Sequence, residues 1–173
     1  MIHLPRFAAA LLLPALLAGC GLRPLYGGGS TGPVATTLGA IEVGPIGGQE
    51  GWLVRNALND RLHHQSVTAR FRLDVELDDQ ILGLGVRQDN AITRERRVLR
   101  ARYKLTDIAT GGVLLDQTAT ADAGIDVAGS EYATVAAEQT ALERLTATLA
   151  DQIVARVATY AERSSAKAAP PQP

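Results

Sequence analysis

The segment Ala69–Asp79, ARFRLDVELDD, alternates almost without fault. Phe71, Leu73, Val75 and Leu77 share one side, while Arg70, Arg72, Asp74, Glu76 and Asp78 share the other. Successive side chains of a strand point to opposite faces, so the segment is a half-buried strand with one wet face. Ile81–Val86 extends it past a kink or bulge at Gly83 or Gly85. Gln88-Asp89-Asn90 reads as a turn. Ile92–Ile108, ITRERRVLRARYKLTDI, alternates again, with Leu99, Ala101, Tyr103 and Leu105 on one face. Arg94, Arg96, Arg100, Arg102 and Lys104 occupy its other face. Thr110-Gly111-Gly112 closes a hairpin onto Val113–Ile125. There Val113, Leu115, Ala119 and Ala121 should face the core, and Asp116, Thr118, Thr120 and Asp122 should face water. Three strands joined by short turns form an antiparallel meander.

Outward from the meander the period changes. Leu38–Ile46 reads as a first strand, carried by Ile41 and Val43 and ended by Gly-Pro. Gly47-Gly48 supplies a turn. Across Glu50–Gln65, Leu53, Val54, Ala57, Leu58, Arg61 and Leu62 recur at the three-to-four spacing of an amphipathic helix. On the other flank, Ser130 suits a helix N-cap and Glu131 suits the positive end of the dipole. From there to Arg163 no Gly or Pro intervenes. Val135, Leu142, Leu145, Leu149, Ile153 and Val157 form its apolar stripe, with Ala136 and Ala150 beside it. Residues 164–173, rich in Ala, Pro and Ser, are expected to be a disordered tail. Every strand has one apolar face and each helix one apolar stripe. The expected fold is α+β: a two-layer sandwich in β-α-β-β-β-α order, with two helices on one face of a four-stranded mixed sheet.

Composition narrows the function. The chain has 173 residues, a formal net charge of -1, one Cys and three His. Near-neutrality does not suit a nucleic-acid binder. A single cysteine excludes an internal disulfide, a Cys-cluster zinc site and an iron–sulfur cluster. The N-terminus has Arg6, then the apolar run Phe7–Leu17, FAAALLLPALL. The run is too short for a bilayer span and has the form of a secretory signal. Leu17-Ala18-Gly19-Cys20 resembles the lipobox of bacterial lipoproteins. That resemblance implies cleavage after Gly19 and acylation of Cys20, and Gly21 after the cysteine implies the outer membrane. The expected organisation is a signal peptide over 1–19, a lipidated Cys20 with a flexible tether over 20–37, and a folded domain over 38–163. By that resemblance the anchor holds the protein on a membrane, facing the periplasm.

Catalytic constellations are not evident. His63-His64 are adjacent on a helix and point about 100° apart, so they suit solvent-exposed polar positions better than a shared metal. No serine lies in G-x-S-x-G. Gly27-Gly28-Gly29-Ser30-Thr31-Gly32 lacks the lysine of a phosphate-binding loop. Asp74, Glu76 and Asp78 read as a solvated sheet face. No metal or cofactor is called for. The basic row Arg94, Arg96, Arg100, Arg102 and Lys104 carries two readings. It can pair with the acidic outer faces of its neighbours, Asp74, Glu76, Asp78, Asp116 and Asp122. It can also hold phosphates through guanidinium groups. Both hold if Arg94 and Arg96 extend beyond their acidic neighbours.

Three features together resemble the lipopolysaccharide-assembly lipoprotein LptE family. They are the start Cys20-Gly21-Leu22-Arg23-Pro24-Leu25-Tyr26-Gly27, the element order, and Ser130-Glu131-Tyr132 opening a long helix that contains Ala137-Glu138 and Leu142-Glu143-Arg144-Leu145. The resemblance implies a protein without enzymatic activity that plugs the outer-membrane barrel LptD. It implies help in assembling that barrel and in delivering lipopolysaccharide to the outer leaflet. The basic strand end would then meet lipid A phosphates or the barrel wall. Two rival classes are an auxiliary lipoprotein of an ABC-type envelope lipid transporter and a periplasmic hydrolase.

Overall fold

The computed structural model describes residues 32–62, 68–86, 92–127 and 129–168. Its elements are α1 (Pro33–Gly39), β1 (Ile41–Val43), α2 (Gly48–Leu62), β2 (Phe71–Val86), β3 (Ile92–Asp107), β4 (Val113–Asp126) and α3 (Glu131–Ala168). The sheet order is β1-β2-β3-β4. β1 lies parallel to β2, and the other neighbours are antiparallel. This is the expected four-stranded mixed sheet, with three helices rather than two among the described residues. The β2–β3 register runs unbroken from Phe71 opposite Asp107 to Leu84 opposite Arg94, so Gly83 makes no bulge.

The inner face of the sheet supplies half of the core. Leu73, Leu99, Ala101, Tyr103 and Leu105 are fully buried there. Val54, Leu58 and Leu62 of α2 and Leu142, Leu145, Leu149, Ile153 and Val157 of α3 cover them. Full burial of one such aliphatic side chain contributes about 1.5–3 kcal/mol. α2 and α3 run parallel: Gln49 donates to Gln139 at 3.4 Å, and Arg61 pairs with Asp151, twelve residues further along each helix. Gly48 turns the chain into α2 with φ +82°.

Four local differences from expectation have physical causes. Pro33–Gly39 is helical where a tether over 20–37 was expected. Pro33 occupies the first turn, where a missing N–H costs nothing, and Val34 and Leu38 are buried. Leu38–Gly39 therefore belongs to α1, and β1 is only Ile41–Val43. α3 continues through Ser164–Ala168, inside the expected tail, because Ala is a strong helix former and Ser165 donates to the Ala161 carbonyl at 2.9 Å. Val113 is exposed, since a register shift at Leu105/Thr106 rotates it out of the core. Val135 stays 55% exposed on the stripe of α3, because α2 begins beside Gln139 and does not reach it.

Candidate functional site

Among the described residues every helix packs on one side of the sheet, so the even-numbered residues of β2, of β3 and of β4 from Asp116 onward face outward without cover from them. The basic row of β3 stands in the middle of that face. Arg102 bonds Asp116 of β4 through two nitrogens at 3.1 and 3.0 Å. This hydrogen bond raises the Arg102 pKa and holds the Asp116 carboxyl below its ordinary range. Asp74 pairs with Arg72 of its own strand at 2.9 Å. Arg100 and Lys104 stand opposite Asp78 and Asp74 in register. Among the described residues no carboxylate lies within ion-pair distance of either.

Arg94 and Arg96 do not extend beyond acidic neighbours. Arg94 pairs with Asp126 at 3.0 Å and Arg96 with Asp122 at 3.1 Å. The β4 strand is long enough to bring Asp126 opposite Arg94. The cations of the row without a carboxylate at ion-pair distance are thus Arg100, in mid-strand, and Lys104, near the end of β3 and between Asp74 and Asp116 in register. Across from Arg96 and Arg94 lie Leu82 and Leu84, 47% and 43% exposed on the outer face. The face has two chemistries: a charged lower half, and an upper end where leucines border guanidinium groups. An amphiphile with anionic groups matches that order, phosphates on the cations and hydrocarbon on the leucines.

Arg97 was not singled out by the alternation. It points to the inner face, where Nε donates to Asp79 at 3.0 Å and Nη1 donates to the Glu138 carbonyl of α3 at 3.0 Å. The Asp79 hydrogen bond raises its pKa against the opposing effect of burial. This bridge closes the core polar-side out, fastening β2, β3 and α3 together. Its signal in the sequence is a pair of charge doublets, Asp78-Asp79 and Arg96-Arg97. Consecutive charges on a strand must put one of each on the inner face. Cys20, His63 and His64 lie outside the described residues.

Comparisons with known proteins agree with this architecture. A sequence model of the LptE family, described as lipopolysaccharide-assembly, matches residues 38–157. A candidate lipoprotein from Caulobacter crescentus CB15 is 28% identical in sequence and superposes with a TM-score of 0.64, over 76% of this chain and 98% of that one. Rare lipoprotein B from Shewanella oneidensis, at 11% identity and TM-score 0.53, shares the fold over 73% of this chain and 97% of its own. A minor lipoprotein from Acinetobacter baumannii does so at 16% identity and TM-score 0.55, over 69% and 88%. None of the curated proteins matches the sequence. With the family model covering most of the chain, the chain belongs to the LptE family, and its part in the cell is in lipopolysaccharide assembly.

Proposed function

We propose that the protein is held on the outer membrane through an acylated Cys20 and plugs the barrel of LptD. There it assists barrel assembly and presents lipopolysaccharide for delivery to the outer leaflet. It works by binding, with no catalytic step of its own. One observation carries the reading: among the described residues the outer sheet face is uncovered, and it carries both Arg100 and Lys104, which have no carboxylate at ion-pair distance, and the Leu82–Leu84 end. Arg94, Arg96 and Arg102 are held by Asp126, Asp122 and Asp116. Their charge is already compensated, and Arg100 and Lys104 are the primary phosphate contacts.

Pull-down from detergent-solubilised outer membrane tests this. The wild type should take acyl label, bring down a large β-barrel and bind lipopolysaccharide. Cys20→Ala should lose the label. Arg100→Glu with Lys104→Glu should keep the fold and bind lipopolysaccharide at least about tenfold more weakly, the equivalent of about 1.4 kcal/mol. Recovery of an envelope ATPase complex in place of a barrel would instead favour the transporter-associated class.

A further inference from the structure

β1 covers only the first part of the β2 edge. It pairs with Phe71, Arg72 and Leu73, and the last bond across this edge is Gly44 N–H to the Leu73 carbonyl at 2.9 Å. That bond shows which way the backbone points: odd-numbered residues of β2 turn their N–H and C=O away from β3. The register with β3 is continuous, so Val75, Leu77, Asp79, Ile81 and Gly83 do the same. Among the described residues, no hydrogen bond reaches these groups from that side. The other sheet edge is treated differently. On β4, the outward carbonyls of Thr118 and Thr120 accept from Arg156 and Gln152 of α3 at 3.4 and 3.3 Å.

A second feature lies beside the uncovered β2 edge. The apolar stripe of β2 continues past the start of α2, leaving Ile81 43% exposed. Diagonally across the ladder from it, Glu95 Oε2 is buried without a hydrogen-bond partner among the described residues. On the outer face the same edge carries Glu76 and Asp78, both exposed.

We propose that β2 from Val75 to Gly83 is an acceptor edge for a basic, extended segment of a partner protein. The segment adds as a strand in line with β1. Its backbone pairs with the odd residues of β2. Its inward side chains cover Ile81, and its outward cations meet Glu76 and Asp78. Edge addition of this kind takes affinity from the main chain and specificity from alternate side chains. A second copy is a poor occupant. The outer face of β4 carries Asp116, Asp122 and Asp126, so edge-to-edge pairing would set like charges opposite one another. The chain's own residues 20–31 are also poor: Pro24 has no N–H, and Gly27–Gly29 have no side chain to pack. The proposal goes beyond the lipid and barrel reading and does not depend on it.

The test is amide exchange and titration by NMR on the full chain, using a synthetic peptide that alternates Val and Lys. In the free protein, the amides of Leu77, Asp79, Ile81 and Gly83 should exchange rapidly, while Asp78 and Gln80, bonded to β3, stay protected. Saturation with the peptide should slow the odd set. N-methylating alternate peptide amides keeps the charge and removes the ladder, and should weaken binding at least tenfold. Ile81→Pro removes one outward N–H without touching the β3 ladder and should do the same. Glu76→Lys with Asp78→Lys, both exposed, should switch preference to a Val–Glu peptide. Equal binding of the N-methylated peptide, protection appearing on β4, or no binding at millimolar peptide would overturn the proposal. So would odd amides already protected in the free protein, which would mean that the chain covers its own edge.

Discussion

The two ends of the β2–β3 pair are built on one alternation and end in different states. At the lower end, Leu73, Tyr103 and Leu105 are fully buried, β1 covers the sheet edge and two long helices roof the inner face. At the upper end the same pattern places Ile81 inward, but β1 has stopped and α2 has not begun. The difference teaches that periodicity decides which face a side chain joins, while its burial depends on elements far away in the chain. Between the ends sits the Arg97–Asp79 bridge to α3, marking where the dry core stops.

The comparison breaks most clearly by truncating matched residues. Leu73→Ala should destabilise the protein by about 2–5 kcal/mol in urea unfolding, since it empties a sealed site. Ile81→Ala should stay within about 0.5 kcal/mol. Equal losses would mean that the upper end is as closed as the lower. An intermediate effect is expected at the boundary. Arg97→Met leaves Asp79 and the Glu138 carbonyl without their donor in a half-buried place, for about 1–3 kcal/mol. Arg94→Met, which removes an exposed pair, should be nearly silent. The smallest effect sharpens the contrast by pH. Asp116 and Asp151 are held below the ordinary carboxylate range by hydrogen bonds from Arg102 and Arg61. Their contribution is complete above the unfolded-state pKa of about 4 and is lost as pH falls through the lower folded values. Thermal unfolding should decline slightly below that pH. Asp116→Asn together with Asp151→Asn should flatten the decline.

The meander, the long helix and the basic row were legible because each rests on a repeat that local stereochemistry enforces. Less legible was whatever depended on two distant segments meeting. α1 looked like tether because seven residues give scarcely two turns of pattern, and only contact with α3 explains why Val34 and Leu38 are buried. Val113 was placed inward because one inserted residue at the β3–β4 turn reverses every assignment before it. The partner of Arg94 was missed because Asp126 falls just past the end of the strand as read from alternation, whereas Asp122, which holds Arg96, lies within it. For Arg97 the charge doublets place one cation inward, but its partners, Asp79 two positions off across the ladder and a helix carbonyl above, appear only when the segments meet.

The short helix α1 gives the molecule a root and a tip. Ala40, just after α1, accepts from the amides of Arg70 and Phe71 at the start of β2, so the chain enters the body at its sealed base. Cys20 lies twelve residues before Gly32. Twelve residues of chain span about 40 Å at most. If Cys20 is acylated as proposed, that length bounds how far the base can stand from the leaflet, while the leucine-and-arginine crest, at the opposite end of the strands, can reach farther.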